Sequence, residues 1–301
     1  AQSPLLAPVA AAGDAWRPMG WLFLFASCGI LAFYAVLMGW TGHTLVHALW
    51  VGLPEDMDTA KSLFASVSTG NSALLGQGGS LALTAAVVAA GVQGGIERLS
   101  RWALPLLFVL LVGLALWAAT LPGAVGGYQT FLLRWDSAQL LNPTTIRNAF
   151  TQAFFSIGTG IGCILAYSAY LKSSARLPRE AIAVVGLDTA VGLLAGLITF
   201  PVVISFGLQE TVSESTVGAL FLAIPTGLAS LGAAGRLVAV LFFSLAYLAA
   251  ITSSVSLLEV PVASLMDRLG WSRRRSAWLM ALLIFIAGLP AARSIPVLEA
   301  V

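Results

Sequence analysis

The chain has 301 residues, 58% of them hydrophobic and only 9% charged, with a mean hydropathy of +0.92. Soluble domains carry about 25% charged residues, so the composition excludes a soluble globular protein and points to a polytopic membrane protein. The formal net charge of +2 is too small for a nucleic-acid-binding surface, and neither a nucleotide-binding loop, a CxxC pair nor a nucleophile motif supports ATP-driven or enzymatic chemistry.

Taken in order, the chain opens at Ala1 rather than at methionine. Residues 1–13 are apolar without a basic region before them, which makes a poor signal peptide. Residues 296–301 close without a polar tail, so the expectation is a piece of a longer protein. Seven spans are expected, about 20–47, 80–92, 102–121, 148–170, 181–206, 236–266 and 277–292, on the rule that a spanning helix needs about 20 mostly apolar residues. The connection 207–235 contains an apolar piece, Val217 to Ile224, before Pro225. That piece is too short to span and reads as a re-entrant or capping helix. Cys28 and Cys163 fall inside apolar segments and imply no disulfide framework.

Lysine and arginine set the orientation. Arg98, Arg101, Lys172, Arg176, Arg179, Arg268, Arg273, Arg274 and Arg275 occupy one set of loops, and Lys61, Arg134, Arg147, Arg236 and Arg293 the other. The first, richer set is expected in the cytoplasm, with the N-terminus. The connections 48–79, 122–147 and 207–235 then face outward.

The fourth span, NAFTQAFFSIGTGIGCILAYSAY from Asn148 to Tyr170, has a centre ill suited to a helix. Gly158, Gly160 and Gly162 each cost about 1 kcal/mol against alanine in a helix interior. Two half-helices, Asn148–Phe155 and Gly162–Tyr170, around an unwound Ser156–Ile161 are one reading. Such a break exposes carbonyls that can hold a cation and N–H groups that can hold a carboxylate. A continuous helix with a small-residue packing face is the other.

Several polar residues are costly to keep in a membrane. Asp188, within the fifth span, costs roughly 2.5–3.5 kcal/mol on insertion scales and reads either as a cation ligand or proton carrier or as a structural carboxyl bonded to a neighbouring hydroxyl or backbone group. Thr252, Ser253, Ser254 and Ser256 offer oxygens suited to a hard cation such as sodium, although hydroxyls also bond back to their own helix or join neighbouring ones. Glu259, just before Pro261, is either a hydrogen-bonding structural residue near the interface or a gate. The Tyr34 hydroxyl needs a partner, either a substrate carboxylate or a backbone carbonyl, and by spacing alone Tyr34 reads equally as an ordinary aromatic packing residue. His43 and His47 stand one turn apart with no third ligand and read as interfacial residues.

With these residues the sequence resembles the neurotransmitter:sodium symporter family, in its bacterial amino-acid-transporting branch. QAFFSIGTGIGCILAYSAYLK resembles the family's sixth helix, with its unwound centre, and GLDTAVGLLAGLITFP its seventh. AITSSVSLLEVPVASLMDRLGWSRRR resembles the eighth helix and the loop after it. GGIERLSRWALPLLF resembles the turn into the fifth, Tyr34 with Gly39-Trp40-Thr41 fits the third, and ALFLAIP resembles the extracellular lid.

The resemblance implies an all-α, LeuT-type inverted-repeat fold that is incomplete, with this chain covering the third to ninth of roughly a dozen helices. It implies Phe155 as the aromatic lid over the substrate and Gln152 at the outer gate. Ser156 and Asp188 would serve one sodium ion. Ala249 through its carbonyl, Thr252 and Ser253 would serve a second. Tyr34 would bond the substrate carboxylate, and Ile30, Gly158, Ile161 and Leu257 would line an apolar side-chain pocket, with Ser253 beside it. The implied activity is sodium-coupled symport of a small hydrophobic amino acid across the inner (cytoplasmic) membrane, with sodium as the coupling ion. Chloride independence follows if Asp188 replaces the anion, a role Gly192 cannot take. The implied partners are the amino acid and the bilayer, a homodimer being compatible. The family's first helix, with its Gly-Asn-x-Trp-Arg-Phe-Pro signature, is absent from the sequence, and with it about half the ligands of these sites. A proton-coupled relative in which Asp188 titrates and a non-transporting binding or degenerate member are the alternatives.

Overall fold

The computed structural model describes residues 3–171, 174–209 and 215–293. Lys172 of the basic loop and residues 210–214 of the lid connection lie outside them. Among the described residues the regular structure is helical: α1 (Arg17–Trp50), α2 (Met57–Ser68), α3 (Gly70–Ala89), α4 (Glu97–Ala118), α5 (Pro143–Ile157), α6 (Cys163–Ser168), α7 (Leu177–Ser205), α8 (Ile224–Ala229), α9 (Gly232–Leu269) and α10 (Arg273–Ala287), with short turns between. Five helical stretches are long and apolar enough to cross a membrane: Asp14–Trp50, Gly70–Ala89, Val92–Ala118, Leu177–Ser205 and Gly232–Leu269.

The bundle is organised on α9, 38 residues long, which packs against α1, α3, α4 and α10. Two buried clusters sit one after the other along it. Phe243 and Leu245 join Val36, Trp40, Leu114, Ile198 and Phe221 in one. Val255, Leu258 and Val260 join Leu31, Met38, Leu81, Val88 and Ile284 in the other. Trp40 is fully buried and meets Phe64 edge-on at 5.0 Å and Phe221 edge-on at 5.9 Å, while Phe64 stacks on Phe221. These rings tie α1, α2 and the turn Ala219–Ala223 together, in geometries that the ring quadrupole favours.

Four sequence expectations need correction. The second span was placed at 80–92, but α3 begins ten residues earlier, at Gly70. Its first half, GNSALLGQGG, reads as a loop by propensity. Helix packing overrides this, because the glycines allow backbones to touch. A Cβ on Gly39 of α1 would lie 2.5 Å from the Gly76 carbonyl carbon, an approach that only small residues permit. The half-helix bounds also shift. Asn142 caps α5 by accepting from the Thr144 N–H at 2.9 Å, and Pro143 fills the first helical position, the two strongest start signals available. Ser156 and Ile157 are helical rather than unwound. The last span divides, since α10 ends at Ala287 and a further turn, Leu289–Arg293, follows Gly288. Pro225 does not end the apolar piece of the lid connection but sits in the first turn of α8, continuing a helical run from Thr216.

Gly39→Leu places a side chain where backbone already stands. Overpacking of this kind costs about 1–3 kcal/mol or more, so the variant is expected to melt lower and elute as aggregate. Fluorescence-detected size exclusion after a heat series reads both.

Candidate functional site

The helix beginning at Pro143 stops because the chain turns left-handed. Gly158, Gly160 and Gly162 have φ of 76°, 81° and 84°, a region that costs L-residues energy and glycine none. The stop is sealed locally. The Thr159 N–H returns to the Phe154 carbonyl at 3.0 Å and the Thr159 hydroxyl donates to the same oxygen at 3.2 Å. The N–H groups of Gly160, Ile161 and Gly162 donate to no backbone carbonyl among the described residues. Helix resumes in α6, where the Ala166 N–H reaches the Gly162 carbonyl at 2.9 Å. Gly162 is buried, and a Cβ there would press on Phe23, Val260 and Pro4.

Beside the break, the Ser156 hydroxyl donates to the Asp188 Oδ1 of α7 at 2.6 Å. The two residues are 32 apart in sequence and were grouped from sequence only through the resemblance. The carboxylate is partly exposed, and no cationic side chain pairs with it among the described residues. On α9 the Thr252 hydroxyl donates to the Ala249 carbonyl at 2.8 Å, leaving that oxygen a second lone pair. Tyr34 of α1 is half-buried beside Ser253, which is itself exposed. Ile30, Tyr34 and Ile161 pack against the cluster that contains buried Leu257. Gln152 and Phe155 lie on the exposed face of α5, Phe155 at 55% exposure. The structure thus pairs Ser156 with Asp188, Ala249 with Thr252 and Tyr34 with Ser253. Ile30 and Ile161 each pack against the large cluster that contains Leu257, and Gln152 and Phe155 are exposed.

The remaining hydroxyls of α9 are occupied elsewhere. Ser254 is buried and shares a hydrogen bond of 2.8 Å with Thr84 of α3. Ser256 meets the Tyr167 hydroxyl at 2.9 Å and donates to its own Thr252 carbonyl at 3.1 Å. The histidines bond backbone oxygens, His43 that of Ser72 at 3.1 Å and His47 that of Gly52 at 3.0 Å.

One polar cluster was not assembled from sequence. Glu259 has no exposed surface and is held in a fork by Arg273, Nη1 to Oε2 at 2.6 Å and Nη2 to Oε1 at 3.0 Å. The Tyr170 hydroxyl donates to Glu259 Oε1 at 2.7 Å and accepts from Arg273 Nη2 at 2.7 Å. The only sequence signal was a buried-type carboxylate with an arginine run one helix end away, and Tyr170 lies 89 residues upstream.

The model described as the sodium:neurotransmitter symporter family matches residues 76–294. This chain belongs to that family. It is 37% identical over 293 residues to the uncharacterized sodium-dependent transporter YhdH of Bacillus subtilis, covering 95% of this chain and 62% of the relative. It is 31% identical over 284 residues to an uncharacterized sodium-dependent transporter of Haemophilus influenzae, covering 91% and 60%. The crystal structure of MhsT in complex with L-phenylalanine superposes with a TM-score of 0.86 at 34% identity, covering 97% of this chain and 66% of that one. The chain therefore spans about three fifths of the length of these curated relatives. Family and fold make it a multi-pass membrane protein of the LeuT type, in a symporter family and not an enzyme family.

The Glu259–Arg273 pair predicts a clear energetic asymmetry. Glu259→Gln or Arg273→Met alone strands a buried partner and is expected to destabilise by roughly 3 kcal/mol, whereas the double variant recovers much of the loss. A double-mutant cycle on detergent melting temperatures reads the coupling.

Proposed function

We propose that the protein to which this chain belongs is a sodium-coupled symporter of a small hydrophobic amino acid, acting at the cytoplasmic membrane. The observation that carries this reading is a glycine-broken helix whose last turn places the Ser156 hydroxyl on the unpaired carboxylate of Asp188. A carboxylate and a hydroxyl at a helix break inside a membrane form an oxygen-rich site for a hard cation. Ser156 and Asp188 would hold one sodium ion. The Ala249 carbonyl, Thr252 and Ser253 would hold a second, the Thr252 hydroxyl offering an oxygen lone pair to the ion while its proton stays on the Ala249 carbonyl.

The amino acid would sit between Tyr34 and the break, its carboxylate on the Tyr34 hydroxyl. Its side chain would lie among Ile30, Gly158, Ile161 and Leu257, with Ser253 at the edge. Phe155 would close over it and Gln152 would stand at the outer gate. The lining is apolar, which favours a hydrophobic side chain, and the L-phenylalanine bound by MhsT is of that kind. Asp188 supplies a fixed negative charge at the site and supports chloride independence. The N-terminus and the basic loops would face the cytoplasm.

The decisive experiment is uptake of labelled leucine, tyrosine and tryptophan into proteoliposomes holding the complete natural protein, with an inward sodium gradient against a potassium control. Accumulation that requires sodium and persists without chloride is expected. Uptake that follows a proton gradient and ignores sodium would assign Asp188 a proton instead, and no uptake under either gradient would favour a binding member. Ser156→Ala and Asp188→Asn are expected to raise the sodium concentration for half-maximal uptake by tenfold or more, on the order of 1.4 kcal/mol per tenfold. Tyr34→Phe should weaken substrate binding with the sodium requirement little changed.

A further inference from the structure

Four arginines flank the turn between α9 and α10, Arg268 in the last turn of α9 and Arg273, Arg274 and Arg275 at the start of α10, and the structure gives them different partners. Arg273 is consumed by Glu259. Arg268 lies over the Trp21 ring at 4.9 Å. Arg274 and Arg275 are exposed, and among the described residues no acidic side chain pairs with either. Arg275 is instead stacked on the Trp271 ring at 4.2 Å, which fixes its guanidinium without cancelling its charge.

These two arginines border a shallow, wide-open groove, lined also by Ser272, Trp278, Leu279 and Leu282. Its parts are ordered along the helix. Arg274, Trp278 and Leu282 are spaced by four, so they form one face of α10. Trp278 and Leu282 are both exposed, at 45% and 55%, and the opposite face (Ala277, Met280, Ala281, Ile284) is buried in the bundle. The positive end of the helix lies at the arginines, where Ser272 caps it by accepting from the Arg275 N–H at 3.4 Å. An anion at this end is favoured by the helix dipole as well as by the two guanidiniums.

A similar groove at the start of α1 offers a comparison. Arg17, Pro18, Trp21, Leu22 and Phe25 line it, again arginine first and apolar side chains beyond. There, however, Arg17 is paired with Asp14 at 2.6 Å, and the arginine that keeps its charge is Arg268, stacked on Trp21.

We propose that the groove at the start of α10 binds one anionic phospholipid, with the phosphate on Arg274 and Arg275 and an acyl chain along Trp278 and Leu282. A free anion would use only the charged end. The apolar strip that continues from it for two helical turns suits a molecule with a charged head and a hydrocarbon tail. The loop belongs to the arginine-rich set read as cytoplasmic, where anionic lipids attract basic segments. The inference rests on membrane insertion and not on the sodium-coupled reading, so it holds or fails separately from transport.

The test titrates the purified complete protein, in neutral detergent, with phosphatidylglycerol and with phosphatidylcholine, and counts bound lipid by native mass spectrometry. Phosphatidylglycerol is expected to bind in preference, and to bind less at high salt. Arg274→Gln and Arg275→Gln should each weaken it about fivefold, and the double variant about 25-fold. Arg17→Gln, at an arginine already paired with Asp14, should leave it unchanged, and Trp278→Ala should weaken it while the arginines remain. Melting temperatures unchanged by these surface substitutions establish that each variant is folded. Equal binding of the two lipids, an unaffected double variant, or full displacement by inorganic phosphate alone would overturn the proposal.

Discussion

A helix that opens inside a bilayer leaves backbone groups without water to satisfy them, and each such group costs several kcal/mol. The rest of this structure is arranged around that constraint. The segment after the break is pinned to α9 by side chains at successive turns. Cys163 meets the Ser256 carbonyl at 3.6 Å, Tyr167 meets the Ser256 hydroxyl, and Tyr170 meets Glu259. Gly162 is packed so closely against Phe23, Val260 and Pro4 that a Cβ would stand 3.1–3.3 Å from their side chains. The segment before the break is held differently. No residue of α5 is buried, and Ser156 to Asp188 is its one side-chain hydrogen bond to α7 among the described residues. The break therefore joins an anchored half to one whose polar contact lies at the proposed ion site.

What the sequence disclosed follows the same physics. Three glycines in five residues carry a local signal, because left-handed backbone has few other solutions, and the family motifs carry one because they are contiguous. The start of α3 was hidden for the opposite reason. Gly70 to Gly79 has poor helix propensity, and only the approach of α1 at Gly39 explains why it coils. Tertiary packing decided the element there, and packing is not written in a window of ten residues. The hydroxyl run from Thr252 to Ser256 was legible as a cluster but not in its division of labour. Helical rotation of about 100° per residue sends Ser254 toward Thr84, Ser256 toward Tyr167 and Ser253 toward Tyr34. Ser156 and Asp188 were each singled out, yet their meeting depends on how α5 crosses α7.

The partners of Glu259 were the least accessible of all. Arg273 sits beyond the end of α9 and Tyr170 beyond the end of α6, so their meeting depends on the chain reversing at Gly270, which has φ of 65°. Reading Glu259 as a hydrogen-bonding residue or as a gate could not be resolved without that geometry. The fork now shows that its charge is neutralised within the fold by a planar donor set matched to a carboxylate.

The chain thus keeps two carboxylates within its apolar helices and treats them oppositely. Glu259 is sealed, with both oxygens taken by a cation covalently tethered to the same chain. Such a pair contributes orientation rather than large net stability, since desolvating two charges offsets most of their attraction. Asp188 is partly exposed and receives one neutral hydroxyl. A hydroxyl donor steadies a carboxylate without removing its charge, and the absence of a paired cation among the described residues leaves that charge for an exchangeable counter-ion. A fixed counter-ion suits a joint that must hold a broken helix in place. An exchangeable one suits a site at which, on the function proposed, sodium binds from one side and leaves on the other. The distinction lies in the counter-ion and not in the acid, which is why the two residues look alike in sequence and differ once folded.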